Sequence, residues 1–143
     1  MEDQTKQLLK ECSSGCKMAI NNFNQIRDFI TDGKLKTLID RYDKKHKELE
    51  EEVGKILQEN GEEEQEPGMM ATVFSRVMAD LKLMVHKDDT QVAKLVMDGC
   101  NMGIQTLSEF INKYEHASTK SVSLAKKIVK TEEELMQELK EFL

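Results

Sequence analysis

The sequence has little of what β-sheet, secreted and membrane-spanning proteins require. Its 143 residues include one proline, seven glycines and no tryptophan, and only 5% of them are aromatic. A β-sandwich has many turns and would need more Pro and Gly than this. The longest run without a charged residue, 99–108, is about half as long as a bilayer-spanning helix and contains Asn and Gln. We therefore expect an α-helical protein that does not cross a membrane.

Positive charge and cysteine are scarce as well. Lys and Arg number 21 against 27 Asp and Glu, which gives a net charge of −6. Phosphate groups repel such a chain, so we expect it to bind neither nucleic acid nor membrane. The three cysteines are an odd number and too few for a secreted disulfide scaffold. Because the polar, acidic start of the sequence has no signal-peptide pattern, we expect a cytoplasmic protein.

Apolar residues recur at steps of three and four through most of the chain, the spacing of one face of an α-helix. These stripes run over 8–30, 35–56, 92–114 and 124–142. We predict that Asp32-Gly33 closes the first helix, because glycine readily adopts the left-handed conformation of a C-terminal cap. Asp88, with Gln91 three residues later, and Ser118 have the side chains of N-terminal caps. The pattern predicts an all-α protein with four long amphipathic helices.

The two halves of the sequence are similar to each other. Segment 15–20, Gly-Cys-Lys-Met-Ala-Ile, matches segment 99–104, Gly-Cys-Asn-Met-Gly-Ile, at an offset of 84 residues. A single helical hairpin cannot bury its apolar stripes, whereas two paired copies can. We therefore predict a single domain over 1–143 that contains two repeated hairpins, at about 4–60 and 88–143.

A long connection, at about 61–87, joins the two hairpins. It begins with an acidic stretch, which we expect to be a loop, and continues with the apolar pattern of a short extra helix. A turn between adjacent antiparallel helices needs only about 2–8 residues, so this connection can travel the length of a bundle. One long crossover between two hairpins is the topology of ferritin-like four-helix bundles.

Methionine is concentrated in that connection, which holds four of the nine in the chain. Flexible thioethers fill gaps in cores and also suit adaptable contact surfaces. We favour core packing for the short helix. The alternative is an interface, formed by Met69, Met78 and Val85, with another protein or with a second copy of the chain.

Three segments carry a resemblance to a known family. They are Gly-Cys-Asn-Met-Gly-Ile-Gln-Thr-Leu at 99–107, Lys-Tyr-Glu at 113–115 and Leu-Ala-Lys-Lys-Ile-Val-Lys at 124–130. Together they resemble a bacterial ferritin-like family known as a domain of unknown function. The resemblance runs over most of the chain and rests on helix-packing positions. It implies a four-helix fold and brings no established activity.

A ferritin-like fold raises the question of a di-iron site. Such sites draw a Glu from each of two helices and a Glu-x-x-His pair from each of the other two. Asp43 and His46 form one similar pair, a carboxylate three residues before a histidine on the apolar stripe. Through the repeat, Asp43 corresponds to Val129 and His46 to Glu132, so the last helix lacks the pair. We read 132–134, a run of three Glu, as the solvated side of that helix, although Glu132 sits close to the apolar stripe.

The first helix offers no iron ligand at this level, because the register of the turn puts Phe23 opposite His46. We therefore expect no intact di-iron site and no cofactor. We interpret His46 as a histidine at the edge of the core, hydrogen-bonded to Asp43 or Glu50.

The cysteines allow a different metal site. Cys12 and Cys16 are four residues apart on one helical face, and the repeat makes Cys100 equivalent to Cys16. With His46 at a similar height, a Cys/His site is geometrically conceivable. Free cysteine also packs as a small hydrophobe in protein cores, and this is the interpretation that we favour.

Small residues recur at repeat-equivalent places, Gly15 and Ala19 in one half and Gly99 and Gly103 in the other. Glycine inside a helix costs about 0.8–1 kcal/mol relative to alanine, so another interaction should offset it. We interpret the four residues as helix-packing positions where two backbones approach closely. The alternative is room for a small ligand or for a bulky facing side chain.

The sequence contains no phosphate-cradling glycine loop and no recognisable nucleophile paired with a histidine, so no catalytic residue is predicted. We expect a non-enzymatic helical bundle that acts as an interaction or assembly module, as a homodimer or with another protein. The alternative is a metal- or thiol-dependent protein that uses Asp43, His46 and the cysteines.

Overall fold

The structure, a computed structural model, describes residues 2–62 and 88–143. Over these residues the chain is all-helical and contains four long helices and no strand. Helix α1 spans Asp3–Ile26, α2 spans Gly33–Glu59, α3 spans Asp89–Lys113 and α4 spans Thr119–Leu139. Short 3-10 turns, Arg27–Phe29 and Lys140–Phe142, follow α1 and α4. The predicted all-α fold with four long helices is confirmed.

Each helix begins at a residue whose side-chain oxygen accepts a hydrogen bond from a backbone N–H of the first turn. These residues are Glu2, Asp32, Asp88 and Ser118. The predicted caps at Asp88 and Ser118 are therefore confirmed. The prediction for Asp32-Gly33 is wrong, because α1 ends earlier, at Ile26, and Asp32 instead opens α2. Within the described ranges the only glycine with positive φ is Gly61, at 71°.

Contacts at the helix ends fix the directions of the helices. The Thr31 and Asp32 amides, just after α1, donate to the Asp89 carboxylate at the start of α3, at 2.8 and 3.0 Å. At the opposite end, the Ser118 amide before α4 donates to Thr5 Oγ1 of α1 at 2.8 Å. Helix α1 therefore runs antiparallel to α2 and α3 and parallel to α4.

Helices α2 and α3 run in the same direction, so the end of one and the start of the other lie at opposite ends of the bundle. Just past α2, the carboxylate oxygens of Glu62 lie 3.9 Å from Lys6 Nζ and 3.7 Å from Lys10 Nζ, near the start of α1. Helix α3 starts beside Thr31, just past the end of α1.

The apolar stripes meet in two clusters stacked along the bundle. One, near the Thr31 end, includes Phe23, Leu35, Ile39, Val92 and Leu135. The other, near the Ser118 end, includes Leu8, Cys12, Leu57, Leu107 and Leu124. His46 of α2 lies at the boundary, because Tyr42 belongs to the first cluster and Leu49 to the second.

Several predictions concern positions outside the described residues. The predicted short crossover helix and the predicted interface residues Met69, Met78 and Val85 lie there, as does the part of the predicted acidic loop beyond position 62. None of the helices described here has an apolar stretch long enough to cross a membrane.

Candidate functional site

His46 lies at the centre of the bundle with 0% of its surface exposed. Its Nδ1 is 2.7 Å from the backbone carbonyl oxygen of Tyr42, one turn earlier in α2. Because a carbonyl oxygen only accepts hydrogen bonds, Nδ1 carries a proton. The other ring nitrogen, Nε2, contacts Oε1 of Glu132 in α4. Both nitrogens are therefore engaged inside the protein.

Glu132 replaces the partners predicted for His46, so that prediction is wrong. The predicted repeat makes Glu132 equivalent to His46, but the antiparallel packing of α2 against α4 brings the two together. Only 8% of Glu132 is exposed, which corrects its assignment to a solvated run. The sequence did contain a signal that Glu132 faces the core, because position 132 is four residues after Ile128 and three before Leu135, both core residues.

Asp43 does not share a partner with His46. Its Oδ2 accepts a hydrogen bond from Arg27 Nη2 at 3.0 Å and lies 3.1 Å from Lys47 Nζ. Arg27 also donates from Nε to Asp40 at 2.9 Å. Asp43 thus ties the turn after α1 to α2.

The Phe23 ring faces the imidazole of His46 edge-on, with 5.2 Å between ring centroids, so its predicted position is confirmed. Burial alone would lower the pKa of His46. The charge of Glu132 and the hydrogen bonds to Glu132 and Tyr42 outweigh burial and raise that pKa. His46 therefore keeps its positive charge to higher pH than an exposed histidine, and forms a buried ion pair with Glu132.

All three cysteines are buried free thiols. Burial raises the pKa of Cys12 to about 12, and the charge of Glu11 adds to the effect. Burial also raises the pKa of Cys16 and Cys100, and the nearby charge of Glu132 adds to the effect at both thiols. Protonated thiols are poor nucleophiles and poor metal ligands.

The residues that the sequence analysis considered as metal ligands do not converge on one point. No group of three or more His, Cys, Asp or Glu side chains within 2–62 and 88–143 is placed to hold a metal ion. Asp43 faces Arg27, whereas His46, Cys16 and Cys100 share Glu132 as a neighbour. Cys12 has Glu11 as its charged neighbour.

A cavity of about 60 Å³, the α1–α3–α4 cavity, lies beside Glu132. Its walls include all four predicted helix-packing residues, Gly15, Ala19, Gly99 and Gly103. A methyl group added at Gly103 would meet no heavy atom within 4 Å among the described neighbours. The absent side chain of Gly103 therefore leaves space, and close backbone approach at the four positions stays a prediction.

Two polar side chains also line this cavity, Glu11 and Asn22 of α1. Glu11 Oε2 and Asn22 Oδ1 are buried and have no hydrogen-bond partner within the described part of the chain. Burial raises the pKa of Glu11, and the charge of Lys113 partly opposes this. Sequence reasoning missed these acceptors, because neither Glu11 nor Asn22 lies on the predicted stripe.

A second concave surface, the end groove, is formed by the start of α2 and the end of α4. Its lining includes Lys34, Arg41, Glu138, Glu141 and Phe142, and its volume is about 1110 Å³. Arg41 Nη2 donates to Glu138 at 2.7 Å, and the Tyr42 hydroxyl donates to the other oxygen of Glu138. The groove thus carries basic and acidic side chains next to each other.

These features define a helical bundle with a buried histidine–glutamate pair and an adjoining cavity. A family described as Domain of unknown function (DUF2383) matches residues 4–113, from the first turn of α1 to the end of α3. The chain belongs to this family. Comparison with curated proteins and with solved structures gave no match.

Proposed function

We propose that this chain is a ferritin-like four-helix bundle without an intact di-iron site, which acts as a non-enzymatic interaction or assembly module. The environment of His46 carries the proposal. Its Nδ1 donates to the Tyr42 carbonyl and its Nε2 contacts Glu132. Both ring nitrogens of the one histidine that resembles an iron ligand are therefore bonded within the protein. A buried, fully paired polar group of this kind specifies packing.

The directions of the helices support the ferritin-like part of the proposal. Helix α2 ends near Lys6, and α3 starts beside Thr31, at the other end of α1. The connection between the two hairpins therefore joins opposite ends of the bundle. A long crossover that joins hairpins in this way distinguishes ferritin-like bundles from up-down-up-down bundles.

The occupant that we propose for the end groove is a second copy of the chain. Lys34 and Glu141 are exposed on its walls, and both charges belong to the same concave surface. In a two-fold contact every pair occurs twice, with the roles of the two copies exchanged. Lys34 of one copy can therefore approach Glu141 of the other while Glu141 of the first approaches Lys34 of the second. We also propose a cytoplasmic location, supported by the three buried free thiols.

Light scattering after size exclusion tests assembly. We expect a dimer for the natural chain and a shift toward monomer for Lys34→Glu and for Glu141→Lys. The double variant should restore the dimer, because the two charges are exchanged. Lys55→Glu, which reverses an exposed charge of α2 outside the groove, is the matched control. A natural chain that stays monomeric at high concentration would refute the assembly role.

The second candidate function is that of a metal- or thiol-dependent protein. One observation favours it: a metal-binding histidine commonly donates its other N–H to a backbone carbonyl, as His46 Nδ1 does to Tyr42. Elemental analysis of protein purified without a metal-affinity tag, combined with thiol titration, separates the two functions. Stoichiometric iron or zinc that disappears in Glu132→Gln would overturn the non-enzymatic proposal.

A further inference from the structure

We propose that the α1–α3–α4 cavity binds a small primary amine in its protonated, ammonium form. The cavity holds about 60 Å³, enough for several water molecules or for an ammonium group with a short alkyl stem. Gly15 of α1 and Gly99 and Gly103 of α3 line this space. At Gly103 packing does not require glycine, because a methyl group there would meet no described atom within 4 Å.

The polar atoms of the wall favour a hydrogen-bond donor as the ligand. Glu11 Oε2 and Asn22 Oδ1 are acceptors, both are buried, and both lack a partner in the described structure. A third acceptor group, the Glu132 carboxylate, also lines the cavity and is held in place by His46. Buried acceptors of this kind are costly unless a donor reaches them.

The charge of the wall selects a cation over a neutral or anionic donor. The described lining residues include two carboxylates, Glu11 and Glu132, and no Lys or Arg. Glu132 is already paired with His46, and Lys113 acts on Glu11 only from outside the lining, so Glu11 is the carboxylate that a bound cation would meet. A bound ammonium would give Glu11 the charge-assisted hydrogen bond that its buried oxygen lacks. The apolar lining, which includes Met18, Leu107 and Ile128, suits a short alkyl stem. Anions such as acetate are disfavoured by the same carboxylates.

The test is an NMR titration of the full chain with ethylammonium chloride. We expect saturable shifts of the backbone amides of Gly15, Gly99 and Gly103. A ligand of three non-hydrogen atoms is limited to a dissociation constant of roughly 1 mM or weaker, so the titration runs through the millimolar range. Sodium chloride, ethanol and sodium acetate serve as ligand controls and should give no saturable shift at these glycines.

Three variants locate the site. Glu11→Gln removes the charge and should weaken ethylammonium roughly tenfold or more. Gly103→Leu places a side chain in the cavity and should abolish the shifts at Gly15 and Gly99; Gly103→Ala, a smaller change, should weaken binding if the leucine variant fails to fold. Glu109→Gln, an exposed charge on α3 outside the cavity, is the matched control and should bind as the natural chain does.

The proposal is overturned if ethylammonium produces no saturable shift, which would mean that the cavity holds water only. It is equally overturned if Glu11→Gln binds as well as the natural chain. Neither outcome bears on the dimer proposed for the end groove, because light scattering tests that dimer through the oligomeric state.

Discussion

Glu132 of α4 reaches across the bundle to Nε2 of His46 in α2, and both side chains are buried. The contact joins the two hairpins, since His46 belongs to the first and Glu132 to the second. Its environment is mostly apolar, with the Phe23 ring against His46 and the protonated Cys100 thiol near Glu132. Stability should therefore depend on the pair as a unit.

Removing one member of the pair should be more harmful than removing both. Glu132→Leu leaves a buried imidazolium without its counter-charge and should cost about 3–5 kcal/mol, and His46→Leu should cost a similar amount. In the double variant no buried charge remains, so most of that loss should be recovered. Urea unfolding followed by circular dichroism measures all four proteins. Glu133→Leu, at an exposed position, is the control, and additive effects of the two core substitutions would contradict a coupled pair.

The pair also predicts how stability depends on pH. The pKa of His46 is raised in the folded state above its ordinary value of 6.5, so the folded chain holds this proton more tightly than the unfolded chain. The resulting stabilisation is complete below pH 6.5 and is lost as pH rises through the raised pKa. The titratable groups that act on His46 are Glu132 and Asp43, and Glu132 in turn lies near the thiols of Cys16 and Cys100.

Unfolding free energies measured from mildly acidic to alkaline pH test this prediction. The natural chain should lose stability across the interval above pH 6.5, and His46→Gln should lose less. His116→Gln, which removes a histidine with 73% of its side chain exposed, should keep the profile of the natural chain. An identical profile for His46→Gln would exclude His46 as the group that titrates.

Gly103 and Gly61 make a matched pair for glycine substitution. Neither has a heavy atom of the described chain within 4 Å of an added methyl group, but Gly61 has φ of 71° and Gly103 lies inside α3. Gly103→Ala should stabilise the protein by about 0.8–1 kcal/mol, because alanine has the higher helix propensity. Gly61→Ala should destabilise it by about 1–2 kcal/mol, because the left-handed conformation is strained for any L side chain. Melting temperatures that fall for Gly103→Ala would support close packing as its explanation.

The three thiols should be unreactive in the folded protein. Burial holds the pKa of Cys12, Cys16 and Cys100 above that of a free thiol, so the reactive thiolate is scarce at neutral pH. A chromogenic disulfide reagent should react slowly with the native chain and release three equivalents after denaturation in urea. Rapid reaction of one thiol in the native state would favour the thiol-dependent function instead.

The helices were predictable because their signal is local. Apolar spacing gave the stripes, and the side chains of Asp88 and Ser118 gave two of the helix starts. The break after the first helix was misjudged, because Asp32-Gly33 fits the end of one helix and the start of the next. The structure decides for the start of α2, because a 3-10 turn at Arg27–Phe29 follows α1. The spacing of apolar residues does not predict this turn.

The candidate site was less predictable because it depends on how distant helices align. The predicted repeat relates Glu132 to His46 as equivalent positions, but it does not say that antiparallel packing brings them into contact. Likewise, the spacing of Gly99 and Gly103 cannot tell close approach from open space, because both need small residues. Glu11 and Asn22 matter only through the cavity that they line, which exists only once three helices are packed.

The buried pair has a consequence for the alignment of the two hairpins. Leucine and isoleucine side chains tolerate many sliding positions of one helix along another, because apolar contact is not directional. A slide of α4 by one turn, about 5.4 Å, would separate Glu132 from His46 and strand both charges in a hydrocarbon interior. We infer that the pair fixes the axial register of α4 against α2. Apolar contacts alone would give several registers nearly equal energy, and the ionic contact stabilises only one of them.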